Sequence, residues 1–522
     1  MDFDSNFDND GSSEFYANPK KYPFLYTLDL DQDVINRLAT HLDRIRIGND
    51  EVFVTPLAKA LLPHVVLSEW DKIFQSNESK MNSVLLELES TQRSKFGPRS
   101  IAKPWSERKQ GVKEYYSFDK YSVNHKLILP SNHSSNASLR PLAYDKAMTF
   151  LKNSTNSGLP YYTRKGKVKD RTLERIDYLL EQEYPCILFT RSQESGKTRD
   201  VWGYPMSDTL DEMRYYRPLL SHQNKLRWRS ALLGPTEVDR QVSDMLIRAY
   251  HSNLSLVSLD FSSYDKTVNY DLQKAAFRYI KSLFQDEYRA GIDVIFNRFN
   301  TIGLVTPDGI TSGSHGVPSG STFTNEVDSI VQYLLALSSN TCRVENMQIQ
   351  GDDGAYCLEE SNVSILYDSF TKAGLNVNVD KSYVAKDYLI YLQRLHHIDY
   401  MSKDGLIGGI YPIYRALNRL LYQERWSSFE DFDLQGKDYY SIRTITILEN
   451  CKHHPLFREF VEFIFKLDKY SLEYSQKALA KYEEMINQGS GTGGLLINQY
   501  GDEVRGLQNF ETVKLIRSMR MR

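Results

Sequence analysis

Apolar side chains recur at helical spacing through much of the first ninety residues. Val34, Leu38 and Leu42 fall on one face of a 3.6-residue period, and Val84, Leu85 and Leu88 renew it, so helices are expected between about 31 and 89. The stretch before them, 1 to about 21, is rich in Asp, Asn and Ser and reads as a mobile arm. Further on the period changes. Leu254-Ser255-Leu256-Val257-Ser258-Leu259 is a short apolar run with the length of a buried strand, and it ends at Asp260. Ile349-Gln350 and Ala355-Tyr356 are β-prone arms around Gly351-Asp352-Asp353-Gly354. Asp-Gly between such arms predicts a hairpin, because the turn needs positive φ at little steric cost. Between strand and hairpin lies a Gly, Pro and Ser loop at 315–321, and a helix is expected from Thr322 to Leu337. Its early Ser, Thr and acidic residues suit a helix start, where backbone N–H groups lack partners. After about 396 come a strand-like stretch, a turn at Gly405-Leu406-Ile407-Gly408-Gly409 and helical segments. Near the end, 487–494 holds Gly489, Gly491, Gly493 and Gly494 and reads as a mobile loop.

Length adds that one core is not enough: 522 residues call for two or three domains. Hydrophobic content of 41% and charged content of 25% are those of a folded soluble protein. A net charge of −3 argues for no polyanionic partner, although such binding needs only a local basic lining. No apolar run approaches the roughly 18 residues of a membrane span, and Met1-Asp2-Phe3-Asp4 lacks the basic start of a leader, so no membrane association is expected. Cys186, Cys342, Cys357 and Cys451 show no CxxC spacing, which fits reduced thiols. Cys451 with His453 and His454 is a weak metal-site pattern that two ordinary surface histidines explain as well.

Two stretches interleave cations with aromatics: Arg93, Lys95, Arg99, Lys103, Arg108, Lys109 and Lys113 with Phe96, Trp105 and Tyr115, then Asn156-Ser157-Gly158-Leu159-Pro160-Tyr161-Tyr162 running into Arg164, Lys165, Lys167, Lys169 and Arg171. Basic groups neutralise phosphates and aromatics stack on bases, so either stretch suits a nucleic-acid groove; a solvated charged face accounts for each alone. Gly196-Lys197-Thr198 resembles the tail of a phosphate-binding P-loop, but Arg191 stands where the first Gly is required, and that motif fails. Lys197 and Arg199, two apart on an extended strand, point to one side, and Arg191 joins them from the preceding loop: a cluster suited to a triphosphate.

The carboxylates carry more. Asp265 lies an odd number of residues beyond Asp260, so both serve one pocket only if the chain turns after Phe261, which Ser262-Ser263 permits. The hairpin tip at Asp352-Asp353 alone would pass for a solvated turn; beside a strand-end Asp it becomes a platform for hard divalent cations.

Taken together, Asp260-x4-Asp265, Ser319-Gly320 with Thr324, and Gly351-Asp352-Asp353 resemble palm motifs A, B and C of viral RNA-dependent RNA polymerases, in their usual order. Lys197-Thr198-Arg199 through Pro205 and Ser319-Gly320-Ser321-x-Phe323-Thr324-Asn325 look most like picobirnaviruses and their partitivirus relatives, which carry double-stranded RNA genomes. The resemblance implies an α+β fold shaped as a cupped right hand with an antiparallel palm sheet: an N-terminal extension over 1–80, fingers over 81–253, palm over 254–272 and 313–395, a fingers insertion over 273–312, and a thumb over 396–522. It further implies template-directed RNA synthesis with two divalent ions, Mg²⁺ or Mn²⁺, bridged by Asp260 and Asp352, with Asp353 assisting and the Phe261 carbonyl completing a shell. Ala373-Gly374-Leu375 through Lys381 resembles motif D, with Lys381 among the catalytic residues, and Tyr391-Leu392-Gln393-Arg394 resembles motif E. Arg191, Lys197 and Arg199 would line the path of incoming nucleotides. Asp265 would sense the ribose 2′-hydroxyl, supported by Ser319, Gly320 and Thr324. Many such polymerases place Asn where this chain has Asp328, and an ionised Asp cannot donate to Asp265, so the neighbouring Asn325 is a second candidate for that support. Ser157, Gly158 and Pro160 would guide template, and Arg394 would touch RNA; Arg415, Arg419 and Arg425 would face duplex product. Implied partners are single-stranded template, double-stranded product, ribonucleoside triphosphates and a capsid protein; the implied location is the virion interior and host cytoplasm. An RNA-binding structural protein of a virus particle would explain the basic stretches but needs no ordered carboxylates. A reverse transcriptase would usually carry a bulky apolar residue where Gly351 stands.

Overall fold

The computed structural model describes residues 18–57, 59, 61–117, 137–488 and 506–521. The arm over 1–17 and the Gly-rich stretch from 489 onward lie outside them. Residues 487–488 close the helix Gln476–Gln488, and Pro19–Lys21 forms a short helical turn in place of expected mobile arm.

The apolar run is strand β3, Ser255–Leu259, buried along its whole length. It is central in a four-stranded antiparallel sheet with β6 (Met347–Gln350), β7 (Asp353–Leu358) and β8 (Tyr383–Ala385), in the order β6-β7-β3-β8. β6 and β7 are the predicted hairpin, with Gln350 opposite Asp353. The positive φ expected of Asp353-Gly354 falls instead on the other glycine of the turn. Gly351 takes the positive φ of 64° that the turn requires. Gly354 lies inside β7, where a Cβ would overlap the Gln332 side chain.

Behind this sheet the helix Thr324–Ser338 packs against the helix Tyr270–Leu283, sharing a core of Leu272, Ile280, Phe323, Val327, Ile330 and Leu334 with Ile349 and Tyr356. A second sheet, in the order β2-β1-β4-β5, joins β1 (Cys186–Ser192) and β2 (Thr198–Gly203) to β4 (Leu304–Thr306) and β5 (Gly309–Ile310). Residues 273–312 are therefore divided. Their helices build the core behind the first sheet, and β4 runs parallel to β1 in the second.

The helices expected between 31 and 89 are present, yet they cover two different surfaces. Gln32–Ile47 lays Val34, Ile35, Leu38 and Leu42 on Ile187 and Phe189 of β1. Pro63–Ser76 and Ser83–Ser94 instead insert Val66, Trp70, Phe74 and Leu85 into the C-terminal helical core with Ile413, Leu417, Ile445 and Phe460. There Glu89, fully buried, accepts from the N–H groups of Ile413 and Tyr414 (2.6 and 3.1 Å) and contacts His454 Nε2 at 2.8 Å. A segment expected to be an N-terminal extension and early fingers thus completes the C-terminal domain.

All four cysteines are unpaired by disulfides. His454 meets Glu89 and His453 faces Asp239 at 3.3 Å, so Cys451, His453 and His454 do not converge on a metal. No helix among the described residues is long and apolar enough to cross a membrane.

Candidate active site

Asp260 follows β3 directly, and β3 pairs with β7 so that Leu259 is opposite Gly354. The strand end therefore stands beside the Gly351-Asp352 turn. Phe261 is buried and bridges to Val377 through Asp260 O, which accepts from Asn378 N, and Ser262 N, which donates to Asn376 O. That pattern leaves the Phe261 carbonyl outside the bridge. Ser263 then takes a left-handed conformation (φ 54°), and a single helical turn, Tyr264–Thr267, brings Asp265 back toward the same pocket.

The carboxylates feel one another. Burial raises the Asp260 pKa; Lys381 opposes the rise and Asp352 adds to it. Asp353, half-buried, is pushed up to about 8 by burial and by the charges of Asp352 and Asp260. Crowded carboxylates resist ionising together, and a nearby cation relieves that resistance. Among the described residues no three acidic, His or Cys side chains converge as a ready-made cage. The fit to a divalent ion is one of donor chemistry: hard oxygens on a strand end and a hairpin tip.

The turn itself is gripped by the helix Thr324–Ser338. Gly351 N donates to Ser329 Oγ (2.7 Å), and Gln332 Nε2 donates to Gly351 O (2.9 Å) while Tyr356 OH donates to Gln332 Oε1 (2.7 Å). Beneath it Arg229 donates to both oxygens of Glu326 at 2.8 Å, to Asn325 Oδ1 at 3.2 Å and to Gln350 Oε1 at 3.3 Å. Arg229 and Gln332 are marked by no local pattern in the sequence, and Glu326 only as an acidic residue near a helix start.

Facing the carboxylates are cations. Arg191 lies in β1, opposite Arg199 of β2, and not in a loop, while Lys197 precedes β2 instead of lying on it. Burial lowers the Lys197 pKa, Arg199 and Lys381 lower it further, and Asp260 and Asp352 oppose. Lys381 is thus placed between the two groups. Lys95, from the first basic stretch, lies in the same field, lowered by burial and by Arg415 and Lys381.

The expected sugar sensor is built from a carboxyl pair. Asp265 is pushed up to about 6 by burial and by the Asp352 charge. Asp328 is buried and held well above the ordinary carboxyl range by burial and by Asp265, with which it is within hydrogen-bonding reach. As two carboxylates they are acceptors only, which leaves Asp328 Oδ1 without a donor. One shared proton satisfies both. Asn325 points elsewhere, toward Arg229 and Gly351. Asp328, not Asn325, is therefore the group beside Asp265. In the preceding loop Ser319 Oγ donates to Asp200 O (2.9 Å) and Thr324 Oγ1 donates to Pro318 O (2.8 Å). Gly320 lies against the Trp202 backbone so closely that a Cβ would overlap its carbonyl oxygen. These residues shape the loop under the pocket.

Several polar residues expected at RNA are engaged within the protein. Arg394 donates to Asn450 O (3.1 Å) and Asn450 Oδ1 (2.7 Å), tying the β9–β10 hairpin, Tyr388–Tyr391 and Arg394–His397, to the C-terminal domain. Ser157 and Gly158 are buried: Ser157 O accepts from Met206 N (2.8 Å), and Gly158, with φ of 60°, backs onto Tyr204. Pro160 stays partly exposed. Arg419 is turned into the C-terminal domain, donating to Tyr411 OH at 3.3 Å. In the first basic stretch Trp105 and Tyr115 are buried, Arg108 donates to Asp200 (2.7 Å), and Arg99 joins Glu194 (3.3 Å) to Glu424 (2.6 Å). That segment laces the β1–β2 hairpin to the C-terminal domain instead of offering rings to bases.

Known proteins agree with this arrangement. The family described as viral RNA-dependent RNA polymerase matches residues 129–411. A potential RNA-dependent RNA polymerase of human picobirnavirus is 30% identical over 461 residues, covering 83% of this chain and 85% of that one. An RNA-directed RNA polymerase of Cryptosporidium parvum virus 1 is 27% identical over 282 residues, 48% of this chain and 53% of its own. The crystal structure of a human picobirnavirus RNA-dependent RNA polymerase superposes with a TM-score of 0.76 at 26% identity, covering 92% of this chain and 96% of that one. With matched sequence, right-handed fold and three carboxylate-bearing motifs in order, this chain belongs to the viral RNA-dependent RNA polymerases.

Proposed function

We propose that Asp260 and Asp352 hold two divalent ions, Mg²⁺ or Mn²⁺, with Asp353 and the Phe261 carbonyl assisting, and that this enzyme copies and transcribes a double-stranded RNA genome. The observation that supports this most is the adjacency of the β3 end and the β6–β7 turn, opposed by Lys197 and Lys381. Bound there, the ions would stabilise the attacking 3′-oxygen and the leaving pyrophosphate together. Arg191, Lys197 and Arg199 then meet the triphosphate, and Lys381 is the ammonium best placed to meet developing charge at the leaving group. The template strand enters past Pro160, a capsid protein is the partner within the particle, and the enzyme acts in the virion interior and host cytoplasm. The direct test supplies purified chain, single-stranded RNA, labelled nucleotides and Mg²⁺ or Mn²⁺, and reads template-length product.

Lys197→Ala and Arg199→Ala should each reduce nucleotide incorporation, by about 2–4 kcal/mol of transition-state stabilisation, with RNA affinity unchanged. Titration of nucleotide at saturating template separates the two; weaker RNA binding with normal incorporation would move these residues to the RNA groove.

Sugar choice gives a sharper test. Asp265→Ala should lower the preference for ribo- over deoxynucleotides more than it lowers incorporation of its best substrate, because a polar group built for the 2′-hydroxyl is gone. Asp328→Asn, which keeps a donor without a titrating proton, should retain the preference. Asp328→Ala should lose it. Equal ratios across all three variants would place sugar selection elsewhere.

A further inference from the structure

Glu212 lies within the helix Met206–Gln223, which follows β2, the strand that carries Arg199 and is preceded by Lys197. The residue is only 4% exposed, and neither the carboxylate platform nor the cation cluster is among the groups that act on its carboxyl. It is saturated with donors from one short segment. Ser321 Oγ donates to Oε1 at 2.7 Å; Thr322 N and Thr322 Oγ1 donate to Oε2 at 2.8 and 2.7 Å. Ser321 Oγ in turn accepts from Phe323 N at 3.0 Å, at the entrance to the helix that holds Asp328, Ser329 and Gln332.

The 318–324 loop has two anchors on β2: Ser319 Oγ on Asp200 O, and Gly320 against the Trp202 backbone. Those anchors hold the first half of the loop. In the second half Phe323 is buried in the core behind the first sheet, and the polar groups of Ser321 and Thr322 are held by Glu212. Charge-assisted hydrogen bonds are the strong ones, and three on one buried carboxylate fix both height and rotation of the segment that leads to Asp328. We infer that Glu212 is a positioning residue for nucleotide selection: through Ser321 and Thr322 it sets the loop between the phosphate-facing strand and the Asp265–Asp328 pair. The inference rests on the assignment of that pair and that strand to the nucleotide.

The experiment compares full-length wild type, Glu212→Gln, Ser321→Ala and the double variant on a pre-formed RNA primer–template, with Asp352→Ala as the inactive control. Thermal unfolding accompanies each. Glu212→Gln should remain folded, raise KM for the incoming ribonucleotide about tenfold or more, and lower the ribo-to-deoxynucleotide ratio, with primer–template affinity unchanged. Ser321→Ala, which leaves the carboxylate in place and removes one donor, should shift both readouts the same way by less. The double variant should be no worse than Glu212→Gln alone, since both changes act through one contact. A folded Glu212→Gln with wild-type KM and sugar ratio overturns the inference, as does full additivity in the double variant. Should Glu212→Gln not fold, Ser321→Ala alone decides: unchanged KM and ratio overturn it. An active wild type with unaffected Asp352→Ala would instead overturn the placement of the catalytic carboxylates, and with it this inference.

Discussion

Asp352→Ala is expected to abolish RNA synthesis, on the order of 10³-fold or more, while the protein stays folded. Asp352 is exposed at the hairpin tip, and its side chain supports nothing in the core; the turn is held through Gly351 by Ser329 and Gln332. A group that acts on the transition state and not on the fold lowers rate without lowering stability. Asp260→Ala should behave alike in extension assays. Stability carries a second signature. The Asp353 carboxyl, near 8 in the folded chain, would titrate near 3.9 when unfolded. Between those values the folded state holds a proton that the unfolded state releases, so metal-free stability falls as pH rises from about 4 through about 8. Asp352→Ala removes the largest like charge acting on Asp353 and should flatten that fall. Thermal unfolding in chelator at pH 5, 7 and 9 measures it. A folded variant with near-normal extension would remove Asp352 from catalysis.

The placement of Asp260, Asp265 and Asp352 about one pocket is legible because their signals are local. An apolar run ending in Asp and two β-prone arms around Gly-Asp-Asp are readable within ten residues, and the turn at Ser262-Ser263 was demanded by parity alone. What local pattern cannot carry is the partner across space. The helices between 31 and 89 show their apolar faces plainly, but nothing in Val34 or Trp70 says that one helix meets the β1–β2 sheet and the others the C-terminal core. The same blindness affected the polar residues. An Arg that binds phosphate and an Arg that binds another domain's carbonyls look alike in sequence, so the bonds of Arg394, Arg99 and Arg108 within the protein are not legible there. Which hairpin glycine takes the positive φ is hidden for a related reason. Positive φ and lack of room for a Cβ both select Gly, and only the strand register tells Gly351 from Gly354. Asp328 is the instructive case. Read as an ionised residue it appeared unable to serve; burial beside Asp265 changes its protonation and restores a donor.

Arg229→Leu is expected to destabilise the chain by about 3–5 kcal/mol, the largest stability effect among the variants considered. Arg229 and Glu326 are both 0% exposed, joined by two bonds of 2.8 Å, so removing the guanidinium leaves a carboxylate in the core with no counter-charge. The pair's own net contribution is a separate matter. Burial of two charges takes back much of what their attraction supplies, so Arg229→Leu/Glu326→Leu should recover a large part of the loss. Denaturant unfolding of the two single variants and the double variant measures this coupling directly. Recovered stability should not bring recovered activity. Arg229 also reaches Asn325 and Gln350, and thereby joins the helix that grips Gly351 to the strand that ends in the Gly351-Asp352 turn. The double variant should thus be stable yet slow, with the deficit in kcat and not in primer–template affinity. A double variant that regains both would show that Arg229 serves the fold alone and leaves the turn to Ser329 and Gln332.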